Sequence, residues 1–153
     1  LQHFTFHAHA GYMYYNNEEI ARAAATAVAQ LDKKLLIPVL DGPQGLLLTR
    51  EAEKLGVKVV KKFFADREIQ QDGKLVSRSI SGSVITDPER CADRTLKMVL
   101  EKKVTTFDGK EIAADGKTII IHGDTPNGVN VARAVRERLE ANGVKIVPMR
   151  QLV

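Results

Sequence analysis

Tryptophan is absent from the chain of 153 residues, aromatics make up only 5%, and all three tyrosines sit together at 12, 14 and 15. A nucleic-acid binder would more typically show a concentrated basic face with aromatics for stacking. Here 23 Lys and Arg against 19 Asp and Glu leave a net charge of +4, and the basic residues are interspersed. Lys61-Lys62 and Lys102-Lys103 are short pairs, and Arg133, Arg136 and Arg138 alternate with other residues on one helix. The charges read as solvated surface, and no nucleic acid is expected as a partner. A single cysteine, Cys91, excludes an internal disulfide and a Cys-based zinc site, which suits a reducing, cytoplasmic setting. No stretch approaches the run of about 20 apolar residues that a membrane helix needs, so no membrane is expected either. With 44% hydrophobic residues, 11 Gly and 5 Pro, collagen-like and disordered classes are excluded too. The length suits one compact α/β domain over 1–153. Because the chain starts at Leu1 and enters a strand-like stretch directly, a fragment of something longer is expected.

Strand and helix signals alternate. Gln2 to Phe6 reads as a short strand. Asn17 opens a helix with Glu18 and Glu19 in its first turn, and Ile20, Ala23, Ala24, Ala27, Val28 and Leu31 recur at helical spacing. Leu35 to Leu40 is continuously apolar, as expected of a strand covered on both faces. After the 41–45 loop a helix runs to about Leu55 and stops at Gly56, and Val57 to Phe64 forms the next strand. The stretch 65–86 is irregular, with short strand-like pieces at Leu75-Val76 and Val84-Ile85. Asp87-Pro88 opens a helix, with the aspartate as cap and the proline in the first turn. A second irregular stretch carries Asp108-Gly109 and Asp115-Gly116. Thr118 to Ile121 is a buried strand, Asp124 or Thr125 caps a helix from Pro126 to about Asn142, and Val144 to Val147 is a final strand. Five parallel strands with alternating helices are thus predicted.

Ligands of parallel α/β proteins bind at the carboxyl ends of the strands. Ile119-Ile120-Ile121 delivers His122 and Asp124 to such an end, where a histidine can exchange protons near neutral pH. The plainer alternatives are a helix cap for Asp124 and a satisfied core position for His122. Asp66-Arg67 and Ser77-Arg78 follow other apolar segments, and two arginines suit a bidentate clamp on a carboxylate or phosphate. An Asp–Arg pair that orders the long loop is the plainer reading. His3, His7 and His9 cluster near the start, and two histidines one residue apart on a strand face the same way, the arrangement of a two-imidazole metal grip. Gly42-Pro43-Gln44-Gly45 precedes a helix but lacks both the P-loop and the dinucleotide glycine patterns. Cys91 lies within a helix as a small core residue.

Taken together, Leu1-Gln2-His3 with His7, Phe64-Ala65-Asp66-Arg67, Asp72-Gly73-Lys74-Leu75-Val76-Ser77-Arg78 and His122-Gly123-Asp124-Thr125-Pro126 resemble the LamB/YcsF family, the A subunits of bacterial 5-oxoprolinase. The resemblance runs from about Leu1 to Val147. It implies a parallel sheet with alternating helices that is part of a deformed (β/α) barrel, here lacking its N-terminal strands. It also implies ATP-dependent opening of the 5-oxoproline lactam together with the B and C subunits, with ATP as the cofactor. The sequence departs from the family pattern at Thr5, where a lysine is usual, at Lys62, where a glutamate is usual, and at Ile69, where a tyrosine is usual.

The resulting expectation is a hydrolase acting on the carbon–nitrogen bond of a small cyclic amide. His122, Asp124, Asp66 and His7 are its catalytic candidates, Arg67, Arg78 and Ser77 its substrate-binding candidates, and no metal is assigned. Exposed strand edges would need a partner chain or a second copy. Two alternatives stand beside it: a metal-dependent hydrolase built on the N-terminal histidines, and a non-catalytic scaffold role.

Overall fold

A computed structural model of the chain describes residues 1–7 and 10–153. It is an α/β structure with parallel strand pairing and alternating helices, and it separates into two compact units. The first holds Leu1–Lys62 and Pro148–Val153, the second Phe63–Val147.

In the first unit a short helix α1 (Ala10–Met13) precedes α2 (Glu18–Asp32). Asn17 is extended, and its Oδ1 accepts from the Ile20 N–H at 3.0 Å, satisfying one of the open donors of the helix start. Ala21, Ala25 and Val28 form the buried stripe of α2. Their small size lets α2 pack against α3 (Pro43–Lys54) over Leu48 and Ala52. Strand β1 (Ile37–Leu40) is buried along its whole length and pairs in parallel with β2 (Val59–Phe64), from Ile37 opposite Val59 to Leu40 opposite Lys62. The β1–α3–β2 crossover turns tightly: a Cβ at Gly45 would overlap the Leu40 carbonyl oxygen, so only glycine fits there.

In the second unit β2 ends at Phe63-Phe64, and the Ala65 N–H donates to the Ile120 carbonyl of β5 (Thr118–Ile120) at 3.1 Å. Helix α4 (Pro88–Glu101) is capped by Asp87, whose carboxylate accepts from the Glu89 N–H at 3.0 Å. It packs on α5 (Gly128–Ala141) through Cys91, Ala92, Val131, Val135 and Leu139, with Ala65 and Ile85 beneath. Lys102 adopts the left-handed conformation (φ 57°) and turns the chain from α4 into β3 (Lys103–Thr105), which pairs antiparallel with β4 (Glu111–Ala113). The loop 65–86 folds back on itself through two single bridges, Arg67 with Val84 and Ile69 with Leu75.

Four expectations are corrected. The strand foreseen at Gln2–Phe6 is only a bridge between His3 and Leu36. Leu36 exchanges hydrogen bonds with Gln2 and Phe4, but the next residue of β1 facing that side is Pro38, which has no N–H to give. Val144–Val147 is not a strand: the Val144 N–H closes the end of α5 on the Leu139 carbonyl, and its side chain packs on the α4–α5 cluster. Five strands in one parallel sheet are therefore not formed. The second irregular stretch instead contains the β3–β4 hairpin, whose three-residue strands are too short to show alternation. Finally, α5 starts at Gly128 behind a left-handed Asn127 (φ 67°), and neither Asp124 nor Thr125 caps it.

Candidate active site

The carboxyl ends of β2 and β5 meet in the second unit, and each brings one chemically capable residue. Two residues beyond β2, Asp66 is wholly buried. Two residues beyond β5, His122 keeps about a quarter of its side chain exposed (25%). Asp66 Oδ2 accepts from the His122 backbone N–H at 2.9 Å and from the Thr125 hydroxyl at 2.7 Å. His122 Nδ1 stands 3.0 Å from Asp66 Oδ1 and 3.1 Å from Oδ2. Burial pushes the Asp66 carboxyl upward, but the donors from the imidazole, Thr125 and the His122 backbone outweigh it and hold the group below its ordinary value. Facing an ionised carboxylate, Nδ1 is the protonated ring nitrogen, which leaves Nε2 as the acceptor. Phe64 completes the arrangement: its ring lies on the imidazole with centroids 5.1 Å apart and planes 14° apart. A buried carboxylate beside an oriented, partly exposed imidazole is chemically able to act as orienter and base in a proton transfer.

At the same loop, Arg78 Nη1 donates to Asp124 Oδ2 at 3.1 Å, with both side chains exposed. The Arg78 hydrogen bond and charge hold the Asp124 carboxyl below its usual value, and His122 adds a smaller push in the same direction. Helix α5 follows this loop without a side-chain cap, and its first N–H, of Gly128, donates to the Thr125 carbonyl at 2.9 Å.

The structure thus gathers Asp66 with His122, and Arg78 with Asp124. Ser77, next to Arg78, shares a hydrogen bond with Ser79 (2.8 Å between hydroxyls) within its own exposed turn. Arg67 is not brought to the rim. It is buried, its Nη2 donates to the Val76 carbonyl at 2.6 Å, and it ties the loop 65–86 together. Asp66, in the turn after β2, and Arg67, bridged to Val84, thus take different partners. His7 is exposed in the first unit, where its carbonyl accepts from the Gly11 N–H at 3.3 Å. Among the described residues no three His, Cys, Asp or Glu side chains come together to hold a metal ion; His9, and with it the His7–His9 pair, lies outside them. Cys91 is buried, and burial pushes its thiol up to about 11, which suits a core residue and not a nucleophile.

Two contributors escaped the sequence reading. Thr125 looks like a helix cap, yet its hydroxyl serves Asp66. Phe64 looks like a core aromatic at a strand end, yet its ring stacks on His122, and no local sequence signal foretells that.

A model of the LamB/YcsF family matches residues 1–153. The 5-oxoprolinase A subunit of a Thermus thermophilus strain is 48% identical over 130 residues, covering 85% of this chain and 51% of that protein. The 5-oxoprolinase A subunit of Pyrococcus furiosus is 36% identical over 149 residues, covering 97% of this chain and 57% of that protein. The crystal structure of a lactam utilization protein, also from Thermus thermophilus, matches with a TM-score of 0.83 at 44% identity, over 95% of this chain and 57% of that one. The chain spans about half the length of the curated relatives it matches. On the strength of a match along its whole length, the chain belongs to the LamB/YcsF family.

Proposed function

We propose that this chain is a component of an ATP-dependent 5-oxoprolinase in which Asp66 and His122 move the protons that open a lactam carbon–nitrogen bond. The observation that carries the reading is the wholly buried Asp66 carboxylate, which accepts three donors while facing a partly exposed imidazole. The relatives named as 5-oxoprolinase A subunits and as a lactam utilization protein supply the substrate class, a 5-oxoproline-like small molecule.

His122 Nε2 takes a proton from water as the oxygen adds to the lactam carbonyl carbon. The same imidazole then gives that proton to the ring nitrogen as the C–N bond breaks, releasing a free amine and a carboxylate. Asp66 keeps the ring in the required tautomer and stabilises the imidazolium formed between the two steps. Arg78, exposed and held by Asp124, is placed to exchange that partner for the substrate carboxylate, and Ser77 offers a hydroxyl beside it. An unactivated lactam resists water, and bound ATP would supply activation of its amide oxygen. In this proposal the nucleotide acts in company with the B and C partner subunits, and no step is routed through it here.

The test is 5-oxoproline conversion to glutamate by the chain with its partner subunits and ATP. His122→Asn should lower turnover by about 10²- to 10⁴-fold with the fold intact. Undiminished turnover by the folded variant would remove the pair from the reaction.

A further inference from the structure

We infer that Arg94, on α4, is a positioning residue for the Asp66–His122 pair, holding from behind the backbone of the Phe64 whose ring stacks on the imidazole. Its Nη1 donates to the Phe64 carbonyl at 3.1 Å, and its guanidinium sits 4.9 Å from the centroid of the neighbouring Phe63 ring. Only 10% of the side chain is exposed. Its Nη2 is buried without a hydrogen bond among the described residues, 3.6 Å from Glu68 Oε2. Glu68 is buried as well, and its other oxygen meets Arg90.

Anchoring one carbonyl requires a single neutral donor. A guanidinium buried to this depth is destabilising unless its charge is matched, and burial does pull Arg94 below its ordinary value while Glu68 opposes that pull. Asp66 and Cys91 both lie within electrostatic reach of it. Arg94 therefore acts on the pair in two ways. Through the Phe64 backbone it holds the ring that stacks on the imidazole, and its charge lies within electrostatic reach of Asp66. Glu68 moderates that charge. The other charged groups that bear on the imidazole are Asp66 and Asp124, the latter paired with Arg78.

This inference rests on Asp66–His122 being the working pair, but its test needs no substrate, so a failure of lactam turnover and a failure of this coupling are separate results. The measurement is an NMR pH titration of His122 in the full chain, with the resonance assigned by its loss in His122→Gln. Arg94→Met should raise the His122 midpoint by about half a unit or more, because an opposing cation is gone. Arg94→Lys should restore the midpoint, yet shift the ring-current position of the His122 protons, because the planar fork on Phe64 is lost. Glu68→Gln should move the midpoint down, in the opposite direction to Arg94→Met. If Arg94→Met does not fold, the Lys and Gln variants decide by the same readouts. Midpoints and ring-current shifts equal to the parent in the folded variants, with only the melting temperature lowered, would overturn the inference and leave Arg94 a loop anchor.

Discussion

The two units bury very different things. In the first, α2 and α3 meet through alanines, leucines and valines, and the buried polar side chains among the described residues are Gln44, Glu51 and Lys62. In the second, an unbroken segment of three charged residues, Asp66, Arg67 and Glu68, is buried beyond the end of β2, and Ser83, Thr95, Thr106 and Thr125 are buried as well. Charged groups are almost never buried without partners, because the loss of hydration must be offset by hydrogen bonds. Asp66 is matched by His122 and Thr125 and Glu68 by two arginines, whereas Arg67 gives Nη2 to the Val76 carbonyl and keeps a buried Nε without a hydrogen bond among the described residues. Both units thus have apolar clusters, but the second adds a buried polar network, and the proposed chemistry lies where that network reaches solvent.

Substitutions can break that contrast. The largest effect is expected from Asp66→Ala, which leaves the imidazole, the His122 N–H and the Thr125 hydroxyl without their acceptor. Turnover should fall about 10³- to 10⁴-fold, and chemical denaturation should show a loss of about 3 kcal/mol or more. Gly45→Ala is the corresponding insult to the packed unit. Its Cβ would meet the Leu40 backbone, so about 3 kcal/mol or more should be lost in denaturation. By contrast Gly123→Ala, in the site loop, meets nothing within 4 Å and should change stability by less than about 1 kcal/mol.

Lys62 sharpens the comparison from the other side. Burial lowers its ammonium to about 8, so the folded chain binds this proton less well than the unfolded chain does. The charged form thus weakens the fold at neutral pH, and that penalty is relieved as pH rises from about 8 towards the unfolded value of about 10.4. Lys62→Met should stabilise the chain at pH 7, on the order of 2 kcal/mol, and flatten the alkaline side of a stability–pH curve. The smallest effect lies at acid pH. The carboxyl of Asp66 is depressed in the fold, so its stabilisation is full above the unfolded value of about 3.9 and is lost as pH falls through the lower folded value. Thermal melts of Asp66→Asn should therefore lose less stability below about pH 4 than those of the parent.

Much of the fold was legible from the chain because its signals are local. The helical spacing of Ile20, Ala24 and Val28, the Asn17 and Asp87 caps and the unbroken run Leu35–Leu40 each fix an element without reference to anything distant, but the expected stripe was turned: Ala23, Ala27 and Leu31 are exposed and Ala21 and Ala25 are buried in their place. What was not legible depended on partners. Gln2–Phe6 has a strand's composition, but Pro38 across from it withholds the next donor. In Val144–Val147 only Val144 closes the end of α5 and packs on the α4–α5 cluster, while Lys145 and Ile146 are exposed. Within the site, the strand-end rule located Asp66, His122, Arg78 and Asp124. It could not tell that Arg67 turns inward to Val76 or that Thr125 turns to Asp66, since neighbours in sequence carry no information about which way a loop rotates.

The tautomer of neutral His122, read from its ring ¹⁵N shifts in the parent chain and in Asp66→Ala, tests the central claim most directly. A protonated Nδ1 with a bare Nε2 in the parent, lost or mixed in the variant, is the predicted result. A protonated Nε2 in the parent, or the same tautomer and population in both proteins, would contradict the assignment of Asp66 and His122 as one proton-transferring unit.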